Sequence, residues 1–398
     1  MGFDTDRKLE LLGDAARFDS GEDALSASPR RRAGTADLGR CISLAQRSGG
    51  RPVRLLKVLQ TSVCENNCRY CAFRRDRDVR RDAFRPDELA GAFMDLFRAR
   101  QVEGLFLSSG LAYNPAATMD RMIATVEILR RRHGFRGYVH LKILPSSERS
   151  ALERAIALAT RVSINFEAPS AERLAVLSAE KSFADLETHL RWAHELRRSS
   201  PVAPGGLTTQ YVVGAAGESD AELLGTSHRL YRDFGLARAY YSGFGPVPDT
   251  PLENHPATSA RRQLRLYQAD FLLRDYGFSP DEMAVDRSGN LAAEIDPKLA
   301  WARAHPEAFP VDVSRADRAA LLRVPGIGPK SAGALVNARR RGSIRDLRDL
   351  RALGVAAGRA APFVLLDGRS QVEGRQLSLL DADQGERSGG MEPAFMGR

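Results

Sequence analysis

The chain has 398 residues, of which 43% are hydrophobic and 27% charged, with a formal net charge of +9. This length and composition predict a folded protein with one large and one small domain, and they exclude a wholly disordered chain. Only four cysteines are present, which excludes a disulfide framework and favours reduced thiols in the cytoplasm. No amino-terminal signal region and no apolar run of membrane-spanning length is found, so we expect no membrane association.

Residues 1–53 are predicted to form an extension made of one helix and a loop. Residues 8–17 have the apolar spacing of a short amphipathic helix. Residues 18–36 are polar and are predicted to form a loop. They include a run of three arginines at 30–32, and such a run is more often exposed to solvent than bound to phosphate. Cys41 follows; a buried structural thiol is the commonest fate of such a cysteine, and a role in chemistry is the alternative.

Residues 54–285 are predicted to be one domain in which strands and helices alternate. The strands are expected at 54–60, 103–108, 137–143, 161–166, 207–213 and 238–244. The helices are expected at 86–101, 117–133, 147–159, 182–198, 219–234 and 257–276. Six β-α units at this spacing predict a parallel sheet with right-handed crossovers. A Rossmann sheet is the structural alternative, but no G-x-G-x-x-G follows the first strand.

Three thiols follow the first strand with the spacing C-x3-C-x2-C, at Cys64, Cys68 and Cys71. Three closely spaced thiolates can hold three irons of a [4Fe–4S] cluster and leave the fourth iron open for a small molecule. Tyr70 directly precedes the last cysteine, where its ring could cover one side of the cluster. A zinc site is an alternative, but zinc requires a fourth Cys or His nearby, and no His lies near residues 60–80.

A second motif runs from Leu321 to Val336, after a predicted linker at 286–311. Pro325 ends one predicted helix, two glycines form a tight hairpin, and another helix begins near Pro329. This looks like a helix-hairpin-helix DNA-binding element, in which backbone N–H groups bind phosphate. A contact with protein is the alternative. The residues expected at DNA are Gly326, Ile327, Gly328, Lys330 and Ser331. We expect residues 312–368 to form this small, all-α domain.

Residues 369–398 are rich in Gly, Ser, Asp and Glu and are predicted to be a disordered tail. The tail contains a short peptide that resembles the one by which bacterial repair and replication proteins bind the sliding clamp. Its clamp-binding residues would be Gln376, Leu377, Leu379 and Leu380. A terminal turn that packs on the preceding domain is the alternative.

The cysteine spacing, with an aromatic residue before the third cysteine, resembles the signature of radical S-adenosylmethionine (SAM) enzymes. The order of motifs from residue 8 to about 368 resembles one family of these proteins, described as DNA modification or repair proteins with a carboxyl-terminal helix-hairpin-helix. The resemblance implies an α/β fold with a partial (β/α)6 TIM-type barrel, and a [4Fe–4S] cluster and SAM as cofactors. It also implies an electron donor such as flavodoxin or ferredoxin, and a neighbouring protein of uracil-DNA-glycosylase-like fold as a partner.

In β/α barrels, chemistry takes place at the carboxyl ends of the strands. By position, the resemblance assigns SAM contacts at the amino group to Ser108, Ser109 and Gly110, at the ribose to Asn165 and Glu167, and near the adenine to Val213 and Gly214. The Ser-Ser-Gly segment departs from the usual Gly-Gly-Glu type, which favours contacts through backbone carbonyls. The candidates for substrate contacts or catalysis are Cys41, His140, Lys142 and Tyr240.

The expected function is that of a radical enzyme acting on DNA, in which a 5′-deoxyadenosyl radical abstracts hydrogen from a nucleotide that has left the base stack. Methylthiotransfer normally uses a second cluster, and the cysteine count leaves no second set of ligands. Three alternatives stay open. They are an RNA-modifying radical SAM enzyme, a non-catalytic Fe–S DNA-binding repair adaptor, and a small-molecule radical SAM enzyme whose last domain contacts protein.

Overall fold

The computed structural model describes residues 3–16, 41–45, 52–112, 114–342 and 344–371. The arginines at 30–32 and the expected clamp-binding residues Gln376, Leu377, Leu379 and Leu380 lie outside these ranges. The chain divides into two compact units. The first takes the described residues up to Glu218 and Arg229–Gln263, and the second takes Ser219–His228 and the described residues from Leu264 on. No helix in the described ranges is long and apolar enough to cross a membrane.

The first unit is built on one sheet of seven strands, arranged in chain order and curled into a partial barrel. The strands are β1 Ile42–Ala45, β2 Val53–Leu59, β3 Gly104–Ser108, β4 Tyr138–Lys142, β5 Arg161–Ser163, β6 Leu207–Val213 and β7 Leu236–Gly243. Strands β2 to β7 are parallel, and β1 pairs with β2 in the antiparallel direction. The predicted parallel α/β fold is therefore confirmed.

Eight helices precede, connect or follow these strands in the described part of the chain. They are α1 Phe3–Ala15, α2 Pro86–Arg98, α3 Pro115–Glu127, α4 Arg149–Leu158, α5 Ala171–Leu177, α6 Phe183–Ser199, α7 Asp220–Phe234 and α8 Ala260–Asp275. Proline at the first helical position fixes the start of α2, with Asp87 and Glu88 in its first turn. The helix predicted at 117–133 ends earlier, because a π-helical turn, Ile128–Arg132, follows α3.

Strands β3 and β6 are buried along their whole length, as expected for parallel strands covered on both faces. Strand β5 is shorter than the predicted 161–166. Beyond Ser163 the Ile164 amide still donates to the Thr208 carbonyl oxygen over 3.0 Å, and Glu167, whose φ is positive at 62°, makes an isolated bridge with Tyr211. A left-handed residue does not belong to a regular strand, so Glu167 sets a limit beyond which β5 does not resume.

The described part of the second unit that follows α8 contains short helices and a small sheet. The helices are α9 Pro297–Ala304, α10 Arg318–Arg323, α11 Pro329–Ala338, α12 Leu347–Ala352 and α13 Ala357–Ala360. The strands are β8 Val311–Asp312, β9 Val364–Leu366 and β10 Arg369–Ser370. The expectation of an all-α domain is corrected by these strands, which are too short to show an alternating pattern in the sequence. Arg369–Ser370, expected in the disordered tail, pairs with β9.

Candidate active site

A cavity of about 430 Å³ opens at the carboxyl ends of the parallel strands. Every parallel strand, or the loop that follows it, contributes to the wall. The predicted site residues in the wall are Cys64, Cys68, Tyr70, Cys71, Ser108, Ser109, Gly110, Lys142, Asn165 and Glu167. Ten of the fifteen residues predicted for the cluster, SAM or catalysis therefore line one cavity.

The three cysteines lie on a loop formed by residues 62–82, which we call the cysteine loop. Its ends are hydrogen-bonded to each other: the Ser62 amide donates to the Asp82 carbonyl oxygen, and the Asp82 amide donates to the Ser62 hydroxyl, each over 3.0 Å. Arg81 closes the loop further. Its guanidinium donates, over 2.7 to 3.0 Å, to the carbonyl oxygens of Ser62, Phe73, Arg74 and Arg77. The loop is thus tied at both ends by the chain itself.

The segment after β3 supports the other side of the cysteine loop. The Gly110 amide donates to the Thr61 carbonyl oxygen over 2.7 Å, and the Glu65 amide donates to the Leu111 carbonyl oxygen over 2.7 Å. A Cβ atom on Gly110 would lie 2.3 Å from the Val63 carbonyl oxygen. Only glycine allows the two backbones to approach so closely, which is a structural reason for Gly110.

A buried ion pair joins the SAM-side residues to the cysteine loop. The Lys181 ammonium donates to the Glu167 carboxylate over 2.9 Å and to the Tyr70 hydroxyl oxygen over 3.2 Å. The Lys181 and Glu167 side chains are only 10% and 4% exposed. Burial alone would lower the pKa of Lys181, but the negative charge of Glu167 outweighs it and holds that pKa well above its usual range. Burial also raises the pKa of Tyr70 well above its usual value, so the phenol is neutral.

Two of the thiols are held in the protonated form when no metal is bound. Burial, and then the neighbouring Cys68, raise the pKa of Cys71 to about 12. Burial raises the pKa of Cys68 as well, and the Lys181 charge opposes that rise. Metal binding by these thiols must therefore release protons.

The three cysteines offer soft thiolate donors along one cavity wall, and such donors suit an iron–sulfur cluster. Among the described residues, no three Cys, His, Asp or Glu side chains converge on a point where one metal ion would be held. The three thiols nevertheless line the same cavity. A [4Fe–4S] cluster takes each thiolate on a different iron, so its ligands stand around a volume and do not meet at one point.

Several predicted residues do not reach the cavity wall. His140 lies one step deeper along β4 than Lys142, with its ring 4.7 Å from that of Phe106. Tyr240 is buried, and its hydroxyl accepts a hydrogen bond from Arg161 over 3.4 Å. Cys41 is buried under α1, where its thiol donates to the Leu9 carbonyl oxygen over 3.0 Å.

Val213 and Gly214 also lie outside the cavity wall. The Gly214 amide donates to the Glu218 carboxylate, and its carbonyl oxygen accepts from His255 over 2.8 Å. A Cβ atom on Gly214 would lie 2.1 Å from the Thr258 hydroxyl oxygen. These contacts within the protein explain the glycine without a ligand.

The structure adds residues that no motif indicated. Lys181 and Ser178 lie between α5 and α6, and α5 was not predicted. Gln210 of β6 lines the cavity and is 4% exposed, and its amide oxygen has no hydrogen-bond partner in the described part of the chain. The only sequence signal for Gln210 was its place in a predicted strand. If that strand is buried on both faces, a polar side chain within it requires a hydrogen-bond partner.

The second unit contains the predicted hairpin. Helix α10 ends at Arg323 and α11 begins at Pro329. Gly326 has a φ of 89°, and a Cβ atom there would lie 2.7 Å from the Ala356 carbonyl oxygen. The Gly328 amide donates to the Ser331 hydroxyl over 2.8 Å. The Lys298 side chain donates to the Ile327 carbonyl oxygen, so a buried amine fixes the inner side of the hairpin.

Comparison with known proteins agrees with this site. A sequence profile described as the Radical SAM superfamily matches residues 58–230. Among proteins of curated function, none matches the sequence.

Three solved structures illustrate the similarity in fold. HydG from Carboxydothermus hydrogenoformans, an FeFe-hydrogenase maturase, is 15% identical with a TM-score of 0.45, covering 54% of this chain and 50% of its own. Methylornithine synthase is 16% identical with a TM-score of 0.44, covering 54% and 60%. A radical SAM methyltransferase from Sphaerobacter thermophilus is 15% identical with a TM-score of 0.43, covering 67% and 86%.

The chain spans about half the length of the HydG structures. The profile match begins inside β2 and ends inside α7, and it includes all three cysteines of the cavity. Residues 58–230 are therefore a radical SAM domain.

Proposed function

We propose that this protein is a radical SAM enzyme that acts on DNA, holding the duplex backbone through a helix-hairpin-helix within residues 312–368. The observation that carries the proposal is the hairpin between α10 and α11, with Gly326 in a left-handed conformation and Lys330 in the first turn of α11. A helix that begins at such a hairpin directs backbone N–H groups outwards, where they suit a phosphate. Contacts of this kind fix position on the duplex and carry no sequence information.

The cofactors of the superfamily are a [4Fe–4S] cluster and SAM. When bound, the cluster supplies one electron to SAM, whose cleavage yields the 5′-deoxyadenosyl radical. We assign the cluster ligands to Cys64, Cys68 and Cys71, because their thiols share one cavity wall. The Lys181 ammonium is paired with Glu167 and bonded to Tyr70 in the cavity wall, and its third N–H donor suits a polar group of the bound cofactor.

The cavity wall also supports a polar substrate. Gln210 presents a buried amide whose oxygen has no partner among the described residues, and Lys142 adds a donor at the end of β4. Amide and ammonium groups are those that read the edges of a base. A nucleotide must leave the base stack to reach such a cavity, and a damaged base does so at the least cost. Repair of a lesion is therefore the form of the proposal that we favour.

The partners in this proposal are DNA, an electron donor such as flavodoxin or ferredoxin, and a protein of uracil-DNA-glycosylase-like fold. The tail residues Gln376, Leu377, Leu379 and Leu380 would tether the enzyme to the sliding clamp. A clamp tether suits an enzyme that must search replicated DNA for rare lesions.

The test is SAM cleavage by the anaerobically reconstituted and reduced protein, read as 5′-deoxyadenosine with and without duplex DNA. The expected result is faster cleavage with DNA, and deuterium from labelled DNA in the 5′-deoxyadenosine. A variant with Cys64, Cys68 and Cys71 changed to Ala is the negative control. Cleavage that is indifferent to DNA but stimulated by RNA or a small molecule would move the substrate to that class. If the protein holds a full cluster but cleaves no SAM, the result would favour the alternative of a non-catalytic Fe–S DNA-binding repair adaptor.

A further inference from the structure

The segment Leu177 to Lys181, which we call the support segment, lies against the cysteine loop. The Arg69 amide donates to the Leu177 carbonyl oxygen over 2.8 Å, and the Asn67 amide donates to a Glu180 carboxylate oxygen over 3.2 Å. Together with the bond from Lys181 to Tyr70, these contacts flank Cys68 on both sides in the sequence. The support segment is therefore placed to act on Cys68 in particular.

Ser178 is the residue of the support segment that touches a cysteine sulfur. Its side chain is 1% exposed, and its hydroxyl oxygen lies 3.3 Å from the Cys68 sulfur and 3.1 Å from a Glu180 carboxylate oxygen. As a protonated thiol, Cys68 donates to the Ser178 hydroxyl, and the hydroxyl donates to Glu180. A serine hydroxyl has one proton, so Ser178 can donate either to the Glu180 carboxylate or to the Cys68 sulfur, but not to both at once.

Iron binding changes this balance because it removes the thiol proton. A sulfur that ligates iron can only accept a hydrogen bond, and Ser178 is the hydroxyl within reach of it. Glu180 keeps a second donor when the hydroxyl turns away, because its other oxygen accepts from the Asn67 amide. The rotation of one hydroxyl therefore leaves neither acceptor without a partner.

We propose that Ser178 is a positioning residue that donates a hydrogen bond to the iron-bound Cys68 sulfur and thereby raises the reduction potential of the cluster. The inference rests on the proposed assignment of Cys64, Cys68 and Cys71 as ligands. One-electron reduction places more negative charge on the ligating sulfurs, so a donor stabilises the reduced form more than the oxidised form.

The experiment is a potentiometric titration of the reconstituted protein with dithionite, without SAM or DNA, followed by the electron paramagnetic resonance of the reduced cluster. We expect Ser178→Ala to lower the midpoint potential by about 59 mV, which corresponds to a tenfold smaller equilibrium constant for one-electron reduction. Ser178→Thr keeps the hydroxyl and should restore the potential. The signal reports only molecules that hold a cluster, so partial loading of a variant does not obscure the result.

Ser182→Ala is the matched control, because the Ser182 hydroxyl accepts from the Asp185 amide at the start of α6 and has no contact with a cysteine among those the structure describes. An unchanged potential in Ser178→Ala, or an equal fall in Ser182→Ala, would overturn the proposal. A wild-type protein that forms no cluster would instead overturn the ligand assignment. Both results are independent of whether DNA is the substrate.

Discussion

Replacement of Lys181 by methionine tests whether the buried ion pair stabilises the first unit. The substitution keeps most of the side-chain length and removes the charge, so Glu167 is left buried without its partner at 2.9 Å. Breaking a buried pair by removing one member typically costs roughly 3–5 kcal/mol, because the remaining charge is uncompensated. Tyr70 loses its hydrogen bond from Lys181 in the same substitution.

The assay is thermal unfolding of the metal-free protein, followed by circular dichroism. At roughly 2–4 °C per kcal/mol for a unit of this size, we expect Lys181→Met to lower the unfolding midpoint by about 6–20 °C. The double variant Lys181→Met with Glu167→Gln carries no buried charge and should recover most of the loss. A fall of less than about 2 °C for Lys181→Met, or strictly additive losses in the double variant, would refute the reasoning.

Three further predictions concern single residues of the two units. Gly110→Ala forces a Cβ atom to within 2.3 Å of the Val63 carbonyl oxygen, so we expect lower iron loading and a stability loss of roughly 1–3 kcal/mol. Gly91→Ala is the control, because a Cβ atom there would have no other atom within 4 Å, and this variant should not lose stability. Burial lowers the pKa of Lys298 in the folded protein to about 7, whereas a lysine in the unfolded chain has a pKa of about 10.4. Between these two values the unfolded chain binds more protons than the folded protein does, so the free energy of unfolding rises with pH. The raised pKa of Cys71 acts in the opposite direction over part of this range, so the wild type is compared with Lys298→Met. From about pH 7.5 to 9.5 the wild type should gain roughly 3 kcal/mol relative to that variant in urea unfolding, and an equal pH dependence in the two proteins would assign it to other groups. If Lys330 contacts a phosphate, Lys330→Ala should reduce the slope of log affinity for duplex DNA against log salt by about 1, equally for all sequences, and an unchanged slope would exclude that contact.

The order and type of the parallel strands could be predicted because their pattern is local. Alternation along β4 placed Lys142 and His140 on one face, and the structure has Lys142 in the cavity wall and His140 one step deeper. Spacing alone was enough to bring the three cysteines to one loop. The ends of elements were less certain. The left-handed Glu167, which follows the early end of β5, has no signature in the sequence, because side-chain partners from distant segments stabilise it.

The residues that the sequence could not indicate are those that act through contacts over long separations. Lys181 meets Tyr70 and Ser178 meets Cys68 across more than a hundred positions. Neither belongs to a motif, and the seven-residue helix α5 before them was too short to stand out by periodicity. Gly214 shows the opposite case, because a glycine at the end of a strand suggested a ligand but packs against Thr258.

The supports of the cysteine loop lead to a prediction about metal removal. Small zinc domains unfold without their ion because no other contacts hold the ligands together. Here the chain itself ties the cysteine loop, through backbone hydrogen bonds such as those from the Glu65 amide to Leu111 and from the Arg69 amide to Leu177, and through the guanidinium of Arg81. We therefore expect these amides to exchange hydrogen at least about tenfold more slowly than in an unfolded chain, even in iron-free protein.

The measurement is hydrogen–deuterium exchange of peptides from residues 62–82 in iron-free and reconstituted protein. Arg81→Gln should speed exchange across the loop, because it removes donors to carbonyl oxygens on both sides of the cysteines. Arg80→Gln changes an exposed neighbour and should leave exchange as it is. Exchange at unfolded-chain rates in the iron-free wild type would mean that the cluster, and not the chain, orders the loop. The slow exchange that we expect would mean that the thiols are arranged before iron arrives, so that binding spends little free energy on ordering the backbone.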